Sequence, residues 1–452
     1  MLTVRAACAC PDFSQTNRRE RNVHLFRLQE FVKGSNLVAM SDGHRPLRGS
    51  SGDVSATHAA HLRGLNIDRV LRIAVDREDA FTRAELIQAT GLSAPTVGSV
   101  TTALIAKGVL NDLGTAPSRG GRRPGLMEFN SRHGFVAGID LGPTRTRLAV
   151  GDMRGRQLAM RIVATPADQS ADTMIRQLTR ELRNVMAEAE APASRLLSVV
   201  AGAPGPVDLG TGTVLYAPNL NGWDHVPLRA MLQQEFTSHI IIENDVNLAL
   251  LGEHWRGAAR GHATCAFMFV GTGIGAAILI DDTLHHGHHY MAGEIGALAM
   301  SPGQIGDGPE SPLRLEPLAG MAALRHRWDP ERAQAPERWF DLLMEAHARG
   351  DERAKCAVQQ TAAYIGMATA QLGAVVDPSI ILLGGSMFAE PGPLVEAVRA
   401  VVRQIARTPF EVVRAELGKE APLAGCLLVG AREAQRALRQ QLKATVRHRA
   451  IQ

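Results

Sequence analysis

Apolar residues first settle into a helical rhythm near His58. In LNIDRVLRIAV, Ile67, Val70, Leu71 and Ala74 fall on one face of a helix. A second helix is predicted from Thr82, which forms a capping-box pair with Glu85, to Thr90-Gly91, where glycine takes the left-handed turn conformation. Ser93 caps a third, Pro95 fits its first turn, and Val97, Val100, Leu104 and Ile105 supply its buried side before Gly108 stops it. Two short helices joined by a glycine turn have helix-turn-helix spacing. A short strand (Gly108 to Leu113), the basic arm SRGGRRP and a second strand (Leu126 to Phe129) follow.

Beyond about Asn130 the pattern changes to short apolar runs alternating with amphipathic stretches. HGFVAGIDL, RLAVGDM, LLSVVAGAPG, HIIIENDV, TCAFMFVGTG, AAILIDD and SIILLGG read as strands. RQLTRELRNVMAEAE, DVNLALLGEHWRG, ERWFDLLMEAHA, AVQQTAAYIGMATAQLGAVV and PLVEAVRAVVRQIA read as helices. This alternation predicts an α/β fold with helices packed on mixed sheets. Residues 263–280 carry no charge across about the length of a membrane span. Gly271, Gly273 and Gly275 interrupt the middle, so two buried strands and a glycine turn explain the stretch and no membrane segment is expected. Residues 1–57 are polar and aperiodic and read as a disordered tail, with Met40 a possible second translation start.

Composition narrows this picture only a little. The 452 residues allow two or three domains, and 45% hydrophobic with 21% charged residues is ordinary for a soluble protein. A net charge of +4 is modest, so nucleic-acid binding has to rest on local patches. Arg119, Arg122 and Arg123 make one such patch. A second basic run, through Arg436, Arg439, Lys443, Arg447 and Arg449, reads as a solvated face. The five cysteines are scattered and suit a reducing cytoplasm.

Candidate chemistry falls into two groups. Ser93, Ala94, Thr96, Gly98, Ser99 and Thr102 give the third helix a small, polar surface of the kind that reaches base edges in the major groove. A helical hairpin used for packing or dimerisation has the same pattern. The arginine arm suits phosphates or a narrow minor groove, and with its flanking strands it forms a wing, so the whole points to double-stranded DNA.

The second group lies at strand ends. GIDLGPTRTRLAV places Asp140 and a glycine turn straight after an apolar strand. In a phosphotransferase such an aspartate holds a metal–nucleotide while backbone N–H groups embrace phosphate; an ordinary β-hairpin looks the same. GTGIG (Gly271 to Gly275) and LLGG (ending in Gly384 and Gly385) are two further glycine turns; three together suggest a nucleotide cleft, and any one alone fits a structural turn. At Asn244-Asp245 a strand ends and a helix begins. Asp245 can take a proton from a sugar hydroxyl as general base, or either residue can serve as the helix cap. Glu294 and Glu316 can accept hydrogen bonds from vicinal hydroxyls. His285, His286, His288 and His289 are too tightly clustered for clear metal geometry, so no metal is expected.

Taken in order, GLSAPTVGSVTTALIAKG with GGRRP, GIDLGPT, AGAPGPVD, YAPNLNGW, ENDVNLALLGEH, GTGIGAAI, HHGHHYMAGEIG and IILLGG make the chain resemble the ROK family of bacterial repressors and sugar kinases over about residues 61–435. The resemblance implies an α/β protein: an N-terminal winged helix-turn-helix, then a two-lobed actin/hexokinase-like (ribonuclease H-like) domain with a sugar pocket between its lobes, usually in homodimers or tetramers. Members with the N-terminal winged helix resemble transcriptional regulators; those without it are typically kinases. It further implies Asp245 as the kinase catalytic base and Asn219, Asn244, Glu294 and Glu316 as sugar contacts. Asp140, Gly142, Thr144, Gly271, Thr272, Gly273 and Gly275 match the family's phosphate loops.

Three departures bear on catalysis. The family's kinase loop reads DxGGT, and Pro143 replaces its second glycine, removing an N–H and fixing φ. Ala297 stands where the kinase motif AGEIGH has a histidine that binds zinc or contacts sugar. The cysteine-rich zinc loop reads SPGQIGDGPESPLRLEP, without cysteine. The expectations are therefore no structural zinc, weakened ATP–magnesium binding and a retained sugar or phosphosugar pocket. The expected domains are a tail (1–57), a DNA-binding domain (58–131), a sensor domain (132–437) and a basic C-terminal tail (438–452). The expected function is a cytoplasmic sugar-responsive repressor that binds a DNA operator as a homodimer or homotetramer. The alternative is an active ATP-dependent sugar kinase with an accessory DNA-binding domain.

Overall fold

The computed structural model describes residues 51–452, apart from 116–123, 167, 218, 302–312, 330–337, 408 and 452; for 51–60 and 446–451 only the backbone is described. Arg119, Arg122 and Arg123 lie outside the described residues, as do residues 1–50 of the tail expected over 1–57.

The N-terminal part contains helix α1 (Ser51–Asp76), a two-residue strand β1 (Phe81–Thr82), helices α2 (Arg83–Thr90) and α3 (Ala94–Ala106), and strands β2 (Leu110–Thr115) and β3 (Gly125–Phe129). The strands form an antiparallel sheet in the order β1-β3-β2. Local chemistry sets the helix ends. Thr82 and Glu85 complete a reciprocal capping box, Gly91 takes φ +67° at the C-cap of α2, and the Ser93 hydroxyl accepts the Thr96 N–H to start α3. Residues 51–57, expected in the tail, are instead the first two turns of α1.

Two α/β lobes follow. The first contains β4 (Phe135–Leu141), β5 (Arg145–Asp152), β6 (Gln157–Ala164), α4 (Ala171–Glu188), β7 (Leu196–Ala203), a small sheet of β8 (Val207–Asp208), β9 (Thr213–Tyr216) and β10 (Asp224–Val226), then α5 (Leu228–Glu235), β11 (His239–Asn244) and α6 (Asp245–Arg256). Its main sheet runs β11-β7-β4-β5-β6, with β11, β7 and β4 parallel and β4, β5 and β6 an antiparallel meander. The second lobe contains β12 (Cys265–Val270), β13 (Ile274–Ile280), β14 (Thr283–Leu284), α7 (Leu315–Ala319), α8 (Met321–Trp328), α9 (Trp339–Ala348), α10 (Glu352–Val376), β15 (Ile380–Gly384), α11 (Pro393–Ile405) and β16 (Glu411–Arg414). Its sheet, β14-β13-β12-β15-β16, repeats the mixed plan of the first. The uncharged stretch 263–280 is thus the β12–β13 hairpin. No helix among the described residues is long and apolar enough to cross a membrane.

The last helix, α12 (Ala421–Ile451), ties these parts together. It packs on the first-lobe sheet through Leu423 and Leu427, and crosses α6 with almost nothing between the two backbones. A Cβ on Gly425 would come within 2.0 Å of the Leu248 carbonyl oxygen, and one on Gly252 within 2.2 Å of that of Ala421. Farther along, Ala434, Leu438 and Leu442 join Val70, Leu71 and Ala74 of α1 in one apolar cluster. Asp68 of α1 meets Arg439 at 3.4 Å and Lys443 at 3.6 Å. Arg154, in the turn after β5, donates to the carbonyls of Ala74 and Arg77 at the end of α1, and its guanidinium lies 5.6 Å from the Phe129 ring centre.

Residues 438–451 therefore continue a core helix and are not a separate tail. Arg436, Arg439 and Lys443 lie on a helix whose apolar residues, four apart at Leu438 and Leu442, face inward. Leu438 is 4% exposed. Leu438→Ala should cost about 2–5 kcal/mol, as for a core leucine, measured by urea unfolding. A loss within about 0.5 kcal/mol, typical of surface substitutions, would return this segment to the solvated class.

Candidate functional site

The ends of β4 and β11, the start of α6 and the β12–β13 hairpin converge on a group of carboxylates. Asp140, near the end of β4, is 4% exposed and faces Arg147 across the hairpin, with Arg147 Nη1 donating to its Oδ2 at 3.1 Å. Burial pushes the Asp140 carboxyl up to about 6, against the pull of Arg147. In the turn after it, Thr165 holds both flanks: its Oγ1 donates to the Gly142 carbonyl at 2.8 Å and its N–H to the Thr144 carbonyl at 2.9 Å. Pro143, between them, has no N–H to turn toward an anion.

Asn244 and Asp245, left open above between cap and ligand contact, now separate. Asn244 is the cap: its Oδ1 accepts from Val246 N at 2.9 Å and Asn247 N at 3.0 Å, and its Nδ2 donates to the Gly205 carbonyl at 3.0 Å. Asp245, the first residue of α6, is half-buried. Burial pushes its carboxyl up to about 7; the charges of Asp140 and Glu294 add to this, and the Val246 N–H opposes it. A carboxylate with that pKa exchanges a proton readily near neutral pH, as a general base requires.

The second lobe brings in the other acids. Glu316 Oε2 accepts the Ile274 N–H at 2.8 Å, tying the start of α7 to the glycine hairpin. Val246, next to Asp245, lies against the same hairpin at Gly275. Glu294 is half-buried, and its carboxyl is raised by burial and by Glu316. One oxygen of Glu316 is thus engaged within the protein. Ala297 is exposed, and its methyl offers no polar contact where the family pattern has histidine.

Of the remaining expected residues, Thr144 and Thr272 are exposed at the turns. Gly271 is locked in its turn by a hydrogen bond to the Gly273 carbonyl at 2.9 Å. Asn219 is exposed in the turn between β9 and β10. Packing accounts for Gly384 and Gly385. A Cβ on Gly384 would strike the Phe267 ring, and Gly385, at φ +90°, lies against the Val270 carbonyl. Among the described residues no group of three His, Cys, Asp or Glu side chains is placed to hold a metal ion.

Sequence reasoning missed three side chains here. Tyr216 at the end of β9 lies close enough to Glu294 and Glu316 for both to raise its hydroxyl pKa, after burial. Arg147 is the partner of Asp140. Glu243 bonds His286 at 2.9 Å across the lobes. The histidine run did signal His286, but it was weighed only as a metal ligand.

On α3, Ser93, Ala94, Ser99 and Thr102 are exposed and Thr96 half-buried, while Val97, Val100, Thr101 and Leu104 are buried. The Thr101 hydroxyl accepts Arg83 Nε at 3.0 Å, fixing α3 against α2. The face expected to meet DNA is therefore on the outside of the helix pair.

The raised pKa of Asp245 has a definite sign for stability. The folded protein retains a proton there up to about pH 7 that an ordinary carboxyl loses near 3.8, so stability falls as pH rises through that interval. Asp245→Asn should therefore raise the melting temperature at pH 8 and leave it nearly unchanged at pH 4. Calorimetric melts that show equal losses at both pH values would contradict the assignment.

Comparisons with known proteins agree with the two-lobed α/β fold. The ROK family pattern matches residues 136–432. The chain is 27% identical to the xylose repressor of Caldicellulosiruptor bescii over 394 residues, covering 81% of this chain and 95% of the repressor. It is 28% identical to the glucokinase of Streptomyces coelicolor over 313 residues, covering 65% of this chain and 96% of the kinase. Among solved structures, the ROK hexokinase of Thermus thermophilus superposes with a TM-score of 0.58 at 30% identity, covering 67% of this chain and 99% of its own. A ROK family transcriptional regulator, described as a homolog of the E. coli MLC protein, superposes with a TM-score of 0.69 at 21% identity, covering 84% and 99%, and shares the fold. With the family pattern matched over residues 136–432 and this α/β fold, the chain belongs to the ROK family.

Proposed function

We propose that this protein is a sugar-responsive transcriptional repressor whose kinase-like lobes sense the sugar and whose N-terminal winged helix-turn-helix, residues 58–131, binds an operator. One observation carries the reading. The glucokinase match accounts for 96% of the kinase but only 65% of this chain, whereas the xylose repressor match extends over 81%. A kinase is complete without the N-terminal helices; a repressor is not. The exposed polar face of α3 and the β2–β3 hairpin, whose connecting residues contain the three arginines, supply a major-groove reader and a wing.

The cleft favours an uncharged sugar over a phosphosugar. The charges that act on Asp245 and Glu294 are those of Asp140, Glu294 and Glu316, all carboxylates. They accept hydrogen bonds from hydroxyls and repel phosphate. A metal–nucleotide fits poorly, because Pro143 takes an N–H donor out of the phosphate turn. In this reading it works in the cytoplasm as a homodimer or homotetramer on a two-fold operator, whose half-sites lie about 34–36 Å or a multiple apart. The sugar then shifts operator affinity by its differential affinity for the DNA-competent and incompetent states.

Selection from random DNA, followed by anisotropy titrations with D-xylose, D-glucose and their phosphates, tests the proposal. Expected is a two-fold symmetric consensus whose binding weakens with a free sugar by about 5- to 150-fold, the usual range of allosteric coupling, and not with its phosphate. The kinase reading is supported by the neutral-range carboxyl of Asp245, beside the glucokinase and hexokinase likenesses. It prevails if no consensus emerges and sugar-dependent ATP turnover is abolished by Asp245→Asn.

A further inference from the structure

Glu243 is the next-to-last residue of β11, directly before the Asn244-Asp245 pair, and only 9% of it is exposed. A carboxylate so placed needs partners, and it has three. Its Oε1 accepts the Asn244 N–H and the Asn247 Nδ2–H, both at 2.9 Å. Its Oε2 lies 2.9 Å from His286 Nε2. The first two donors belong to the start of α6, so they fix the helix turn that presents Asp245. The third comes from the other lobe, in the loop after β14.

That loop leads to the opposite side of the cleft. The Ala292 N–H donates to the His286 carbonyl at 3.2 Å, folding the intervening residues back on themselves. Immediately after it, the Gly293 carbonyl accepts the Ala276 N–H at 2.7 Å, and the next residue is Glu294. His286 therefore holds the Glu294 loop by its backbone and the α6 N-terminus by its ring. The hydrogen bond to Glu243 also raises the pKa of the ring, which favours the charged form that donates to a carboxylate.

We infer that His286 is a positioning residue for the sugar: its bond to Glu243 fixes the separation of Asp245 and Glu294 across the two lobes. The inference rests on the sugar-sensing reading of the cleft. It assigns no contact between His286 and the ligand. The histidine run thus has a role unrelated to metal, in which one member, half-buried at position 286, acts as an interlobe clasp.

The test is titration calorimetry with D-xylose and D-glucose on the wild type, His286→Gln, His286→Asn and Glu243→Gln. The Gln amide nitrogen reaches the place of Nε2, whereas the shorter Asn side chain does not. Binding should weaken about tenfold or more in His286→Asn and Glu243→Gln, the loss of a bond to a charged group, and return to within about threefold of wild type in His286→Gln. Melting temperatures separate this from misfolding, because His286 is only half-buried and both His286 variants should melt close to the wild type. Equal binding by all four proteins, or equal weakening in His286→Gln and His286→Asn, overturns the clasp. If the wild type binds neither sugar, the sugar-sensing reading fails first, and the clasp falls with it.

Discussion

The contact between α6 and α12 is the constraint on which the rest of the molecule depends. At Gly252 and Gly425 each helix backbone lies against a carbonyl of the other, so no side chain can be inserted there without moving one helix. Both helices lie between the two sheets, with α12 on the first-lobe sheet and α6 against β12 and β13 of the second. The N-terminus of α6 is the cleft: Asp245 opens it. A shift of α6 is therefore a shift of the cleft relative to α12.

The same α12 carries α1 on its second half. Leu438 and Leu442 share a buried cluster with Val70, Leu71 and Ala74, and Asp68 is paired with two basic residues of α12. Arg154 adds a grip on the end of α1 and on Phe129 of β3, from a turn that α6 also reaches, through Arg256 to the Gly155 carbonyl. Cleft, interlobe helices and N-terminal helices thus form a continuous packed network. Close-packed interiors transmit displacement because they have few voids to absorb it. That is a physical route for coupling; energetic coupling itself requires two arrangements of the route with different ligand affinities.

Much of the fold was legible because its signals are local. Thr82 with Glu85, Gly91 and Ser93 each fix a helix end within four residues of themselves, and the predicted strands from Phe135 to Gly384 are continuous apolar runs. The fate of the C-terminal run was not legible, because its arginines and lysines mask leucines whose partner, α1, lies more than 350 residues earlier. Within the cleft, residue types identified Asp140, Asp245, Glu294 and Glu316, but not how their charges add. Nor did the sequence separate Asn244 from Asp245: both residue types suit a helix cap and a ligand contact. The Gly205 carbonyl, 39 residues away, takes up the Asn244 amide. Likewise the Glu243–His286 pair spans 43 residues and depends on how the lobes meet.

Hydrogen exchange, read peptide by peptide with and without a saturating sugar, tests the coupling most directly. Exchange should change around Asp245 and Glu294 and also in α1 near residues 66–77 and in α12 near Leu438, since the packed route links them. A change confined to the cleft, with α1 and the second half of α12 unaffected, would contradict it.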